Sequence, residues 1–121
     1  MELNIGADFS LDPAGRYYAD GPASGEQFRE LVLKPLLEKL GKSEKLLITL
    51  DDGVESYGSS FISEGFGGIV KYGYMSSEEL LSRLEFIYSD EDYEFFEGRI
   101  REIVSEAKFG SKEYLSSKAD R

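Results

Sequence analysis

Leu46-Leu47-Ile48-Thr49-Leu50, closed by Asp51-Asp52-Gly53, is a short and nearly continuous apolar run that ends in turn residues. A run of this length between breaks predicts a strand buried at the centre of a sheet. Such a strand must be covered by helices, so helical spacing is expected on either side of it in the chain.

Upstream, Ser24 with Gln27 three residues later forms a capping-box pattern. Phe28, Leu31, Val32, Leu36 and Leu40 follow at helical spacing. Pro35 removes one backbone donor and is expected to bend this helix, and Gly41 terminates it. Further upstream, Leu3 and Ile5 alternate with Glu2 and Asn4, which predicts a first strand. Asp12-Pro13-Ala14-Gly15 is a turn signal, and Arg16-Tyr17-Tyr18 is read as the second strand of a hairpin.

Downstream, Ser59 or Ser60 is expected to cap a helix with Ile62, Phe66, Ile69 and Val70 on one face. Gly65, Gly67 and Gly68 weaken its helical propensity and are read as sites of close backbone approach. Ser76 or Ser77 caps a short helix, and Leu84-Glu85-Phe86-Ile87-Tyr88 reads as a strand. Asp90 starts the last helix, whose Tyr93, Phe96, Ile100, Ile103, Val104 and Ala107 form an amphipathic face ending before Gly110. The expected order is roughly β-β-α-β-α-α-β-α. This is an α/β fold with a mixed β-sheet of about four strands and helices packed on it. Residues 1–110 form one domain in this reading, and residues 111–121 form a polar, frayed tail.

With 121 residues, 40% hydrophobic and 13% aromatic, the chain has enough apolar surface for one core. Asp plus Glu total 24 against 14 Lys plus Arg, a formal charge of −10. That sign disfavours nucleic-acid backbones and anionic membranes as partners and favours a protein with a basic patch. The absence of Cys removes disulfides, a thiol nucleophile and thiolate metal sites. The absence of His removes an imidazole base, a Ser-His-Asp triad and imidazole metal ligands. No apolar run reaches bilayer length, and Met1-Glu2-Leu3-Asn4-Ile5 lacks the basic and apolar regions of a signal peptide. A cytoplasmic protein without catalytic residues, metal or cofactor is therefore expected.

Four segments carry chemistry worth weighing. Thr49-Leu50-Asp51-Asp52-Gly53 resembles a metal-binding motif only superficially, and a strand end with a turn accounts for it. Asp90, Glu91, Asp92, Glu94 and Glu97 are acids near a helix start, where the dipole favours them. Gly21-Pro22-Ala23-Ser24-Gly25 lacks a phosphate-loop pattern and reads as ordinary capping. Tyr57-Gly58-Ser59-Ser60-Phe61 places two hydroxyls between a buried strand and a helix, the edge where α/β folds build sites. A serine nucleophile there lacks a His base, whereas a phosphoacceptor needs only an exposed hydroxyl.

The segment Asp51 to Val70, with Tyr57-Gly58-Ser59-Ser60-Phe61 and Glu64-Gly65-Phe66-Gly67-Gly68, resembles a STAS-like domain family of unassigned function. The stretch from Asp20-Gly21-Pro22-Ala23-Ser24-Gly25-Glu26-Gln27-Phe28-Arg29 to Leu33-Lys34-Pro35-Leu36-Leu37 resembles the same family. Together these blocks span most of residues 15 to 105. The family is similar to the anti-sigma-factor antagonists of bacterial partner-switching systems. Those carry Asp-Ser-Ser-Gly after the central strand, and the first Ser is phosphorylated by a kinase that is also the partner. The resemblance implies a STAS-like fold, Ser59 as phosphoacceptor and Ser60 as its helix-capping neighbour. It also implies a protein partner such as a serine kinase or anti-sigma-like ATPase. Gly58 stands where the motif has Asp, and Phe61 where it has Gly.

The expected partner-binding residues are Asp51, Asp52, Tyr57, Gly58, Phe61 and Glu64. A constitutive adaptor or homodimer, using exposed Tyr72, Tyr74 and Tyr114, is the alternative. An Mg-dependent hydrolase built on Asp51, Asp52 and Glu64 ranks last.

Overall fold

A computed structural model describes residues 1–118. The tail expected at 111–121 is thus described as far as Lys118, and its last three positions lie outside the described residues. The sheet has three strands, β1 (Glu2–Asn4), β2 (Leu46–Thr49) and β3 (Leu84–Ile87), in the order β1-β2-β3. Both pairings are parallel, with Leu3 opposite Ile48 and Ile48 opposite Phe86. The predicted central strand is therefore central. Leu46, Ile48 and Leu50 are fully buried on one face, and Leu47 and Thr49 are half-buried on the other.

The sheet departs from expectation in two respects: it has three strands rather than about four, and it is parallel rather than mixed. Arg16-Tyr17-Tyr18 forms no strand, because the Asp20 carboxylate accepts the N–H groups of Arg16 (3.0 Å) and Tyr17 (2.8 Å). Those donors are spent locally, in a side-chain-capped turn that competes with a sheet ladder. Tyr18–Asp20 is a 3₁₀ turn instead. After β1 the chain enters a one-turn helix, α1 (Ile5–Asp8), capped by Asn4.

The first crossover holds α2 (Gly25–Phe28), a π-helical turn (Arg29–Leu33) and α3 (Lys34–Lys39) in unbroken succession. Ser24 and Gln27 make the expected capping box. Pro35 sits in the first turn of α3, directly after the π-helical turn. In that turn the Lys34 N–H reaches back five residues to the Arg29 carbonyl.

The second crossover repeats the pattern with α4 (Ser59–Ile62), a π-helical turn (Ser63–Gly67) and α5 (Gly68–Lys71). Its N-cap is Gly58, with no side-chain cap, so Ser59 and Ser60 occupy the first two helical positions rather than capping. Helix α6 (Ser77–Arg83), capped by Ser76, leads into β3. A 3₁₀ turn (Glu91–Tyr93) capped by Asp90 then precedes α7 (Glu94–Glu106).

The two crossover helices meet at glycines. A Cβ on Gly25 would lie 2.6 Å from the Phe61 carbonyl oxygen and 2.9 Å from the Gly65 nitrogen. A Cβ on Gly68 would lie 2.5 Å from Arg29 Nη1. Of the three glycines read as sites of close backbone approach, Gly65 faces the Gly25 backbone, whereas Gly67 and Gly68 make room for the Ile103 and Arg29 side chains. The approach of Gly25 to Gly65 seats Phe28 against Phe61 and Phe66, with both ring centroids at 5.3 Å. Each such buried ring contributes roughly 1.5–3 kcal/mol of transfer free energy.

Candidate functional site

The three strands end side by side, and the residues after them tie those ends together. Asp51 accepts hydrogen bonds from the backbone N–H of Ser89 (2.7 Å) and Asp90 (3.0 Å), beyond β3. Asp52 accepts from the Asn4 side chain at the end of β1 (2.7 Å). Both acids therefore brace the carboxyl edge of the sheet. Tyr57 is buried, and its hydroxyl donates to the Leu50 carbonyl at 2.7 Å. Burial pushes this phenol well above its ordinary pKa, and the charge of Asp51 adds to the effect. Tyr93 donates to the Val54 carbonyl at 2.6 Å, which pins the same loop from the last helical segment.

This loop delivers Gly58, Ser59 and Ser60 to the surface at the start of the second crossover helix. Gly58 and Ser59 are exposed, and Ser60 is half-buried with Oγ 3.5 Å from Arg16 Nη2. A Cβ at Gly58 would meet nothing within 4 Å. Phe61 is fully buried among aromatic rings and Glu64 is fully buried in an ion pair. Of the expected partner-binding residues, Asp52 and Gly58 are exposed and Asp51 is half-buried, whereas Tyr57, Phe61 and Glu64 face inward; of the two phosphoacceptor candidates, Ser59 is exposed and Ser60 half-buried. Asp51, Asp52 and Glu64 do not converge, and among the described residues no group of three acids could hold a metal ion.

Behind the serines lies a charged network that patterning did not reveal. Arg29 is fully buried and donates from Nη1 to the Glu64 carboxylate (2.9 Å) and carbonyl (2.7 Å), and from Nε to Glu30 (2.8 Å). Its guanidinium packs over the rings of Tyr72 (4.5 Å) and Tyr114 (4.8 Å), which themselves meet edge to face. Tyr72 donates to Glu64 at 2.6 Å, and Arg16 and Lys71 each approach Glu64 Oε1 to 3.6 Å. Burial alone would raise the Glu64 pKa. The hydrogen bonds from Tyr72 and Arg29, with the charges of Lys71 and Arg29, outweigh it and hold the carboxyl below its ordinary range.

Glu26 is buried beside this pair. It accepts from the Tyr114 hydroxyl (2.7 Å), the Ser117 N–H (2.9 Å) and the Ser117 hydroxyl. Burial again opposes the ionised form, and bonds led by Ser117 and Tyr114 overcome it, so its pKa is also lowered. The three tyrosines considered for an adaptor surface, Tyr72, Tyr74 and Tyr114, are half-buried and bonded to Glu64, Glu30 and Glu26.

The family model of a STAS-like domain of unknown function (DUF4325) matches residues 24–94. The chain belongs to this family. No curated protein and no solved structure matches it. The matched span of this STAS-like domain runs from the Ser24 cap through both crossover helices to the start of α7. It contains Arg29, Ser59, Ser60 and Glu64, while Arg16 and Tyr114 lie outside it.

Arg29 and Glu64 both fall in π-helical turns. A π turn inserts one residue, rotates the helix face and brings inward a side chain that 3.6-residue spacing assigns outward. Glycines 65, 67 and 68 around Glu64 were the sequence signal for a tightly enclosed segment.

Proposed function

We propose that this STAS-like domain is a regulatory protein-interaction domain whose docking is controlled by phosphorylation of Ser59. The observation that carries this reading is the exposed Ser59 at the first position of the crossover helix, beside an open Gly58, on the braced carboxyl edge of the sheet. A hydroxyl there is accessible to a kinase, and a phosphate adds about −1.5 to −2 charge to the docking surface. The helix start tolerates that charge, so the domain stays folded while the surface changes.

The expected partner is a serine kinase or related ATPase that docks on the Gly53–Gly68 side, in the cytoplasm. The net charge of −10 favours a partner with a basic face. Among the described residues, no helix is long and apolar enough to cross a membrane.

The test uses wild type, Ser59→Asp and Ser59→Ala as baits in lysate of the native host, with mass spectrometry of what each retains. A protein kept by wild type and Ser59→Ala but lost by Ser59→Asp supports the switch. The same proteins kept by all three baits overturn it and leave a constitutive adaptor.

A further inference from the structure

The two adjacent serines have different surroundings. Ser59 is exposed, whereas the Ser60 hydroxyl faces Arg16 at 3.5 Å. We propose that Arg16 is the cationic clamp for a phosphate carried on Ser60. A phosphate on Ser59 would then face the partner, and one on Ser60 would be held by the domain itself. This rests on the reading that the serine pair is addressed by a kinase.

Four features of the structure support the clamp. First, Arg16 is held in position by its backbone. Its N–H donates to Asp20 (3.0 Å), its carbonyl accepts from Glu26 (3.0 Å), and the neighbouring Gly15 carbonyl accepts from Gly25 (2.9 Å). The loop is thus pinned to the start of the first crossover helix, and the side chain reaches across to the second.

Second, its guanidinium is underused. It approaches Ser60 Oγ at 3.5 Å and Glu64 Oε1 at 3.6 Å. Paired guanidinium bonds to phosphate run at about 2.7–2.9 Å and are roughly twice as strong as neutral ones. A phosphate on Ser60 Oγ would offer the oxygens for such a pair.

Third, Arg16 is one of three cations around Glu64 and faces only its Oε1, which Lys71 also approaches at 3.6 Å. Arg29 and Tyr72 donate to the same carboxylate, so with Lys71 beside it Arg16 can turn toward a phosphate without leaving a buried charge unpaired. Fourth, position 58 carries no carboxylate. A Cβ at that position would meet nothing within 4 Å, and the carboxylate that shares Arg16, Glu64, is already held by Arg29 and approached by Lys71.

In the modification, a protein kinase transfers the γ-phosphoryl group of a nucleoside triphosphate to Ser60 Oγ. A new O–P bond forms, the bond from that phosphorus to the β–γ bridging oxygen breaks, the nucleoside diphosphate leaves and the hydroxyl proton goes to solvent.

The experiment places phosphoserine by genetic encoding at position 59 or at position 60. The isolated domain is then followed by phosphorus NMR against pH. The phosphate at 60 is expected to titrate roughly half a pH unit or more below that at 59, because a nearby cation favours the dianion. Arg16→Ala and Arg16→Gln remove that difference, and Arg16→Lys keeps part of it. Thermal melting of each variant verifies that it is folded, and the two neutral substitutions guard against failure of either one. Equal titration at 59 and 60, or a phosphate at 60 that ignores Arg16, overturns the clamp. The partner-capture experiment reads separately, since the NMR titration needs no partner. A clamp without loss of binding by Ser59→Asp sinks the switch alone.

Discussion

Glu64 keeps its charge in the interior because Arg29, Arg16, Lys71 and the Tyr72 hydroxyl surround it. A buried ion pair is weak evidence of net stability, but breaking one by removing a partner is costly. Arg29→Leu should destabilise the domain by about 3–5 kcal/mol, read from urea unfolding, whereas Arg29→Leu with Glu64→Leu should recover part of the loss. A double variant no better than the single would mean that the tyrosine rings around Arg29 matter more than the pair. Acid unfolding probes the same group. The Glu64 and Glu26 carboxyls titrate lower folded than unfolded, so the stability they contribute is complete above the unfolded value of about 4.3. It is lost as pH falls through their lowered folded values. Unfolding free energy should therefore fall with slope as pH drops below about 5, and Glu64→Gln should flatten that slope. An unchanged slope in Glu64→Gln would assign the acid limb to Glu26 and other carboxylates. None of this residue-scale detail was legible in the sequence. At 31% charged residues, nothing in the composition singles out Glu26, Arg29 and Glu64 as the buried ones.

The elements explain why. Simple periodicity placed the crossover helices, most of their apolar residues and the Ser24 and Ser76 caps, because those depend on local spacing, but Leu31, assigned to the inner face, is exposed. It failed inside the π-helical turns, where one extra residue shifts the face and carries Arg29 and Glu64 inward. It failed again at residues 16–18, where Asp20 takes the donors of a would-be strand, an outcome fixed by one side chain rather than by alternation. The contact between the crossover helices is set by glycines, and that can be tested directly. Gly25→Ala drives a methyl into the Phe61 carbonyl and the Gly65 nitrogen, both backbone atoms that cannot swing aside. The expected loss is about 2 kcal/mol or more in chemical unfolding. Gly58→Ser meets open space at a helix N-cap that lacks a side-chain acceptor, so it should stabilise by a few tenths of a kcal/mol. Similar losses in both variants would refute the close-packing argument, since only Gly25 lies between two backbones.

At the scale of the whole molecule, the α/β class and the central place of β2 followed from one apolar run, since such a strand must be covered by helices. The parallel sense of all three strands did not, because it depends on the chain spending residues 16–20 in a turn instead of a hairpin. The place of Ser59 and Ser60 at the start of the second crossover helix was legible, while the nearness of Arg16 was not, because it is 44 residues away from Ser60 in sequence. Charge supplies the last prediction. With 24 acids against 14 bases, the fold carries self-repulsion that unfolding relieves, while its exposed ion pairs, such as Arg99 with Glu102, contribute little. Salt screens both effects, with a Debye length of about 30 Å at 0.01 M falling to about 3 Å at 1 M. Repulsion among excess charges acts over longer distances than the pairs and should dominate, so the melting temperature should rise by roughly 2–6 °C between 0.01 and 0.5 M sodium chloride. Capture of a basic partner should weaken over the same range, chiefly through a slower association rate. Scanning calorimetry and surface plasmon resonance on the same samples separate the two. A melting temperature that falls with salt would show that the Glu64 network and surface pairs outweigh the net charge. Binding indifferent to salt would show that the partner does not read the acidic surface.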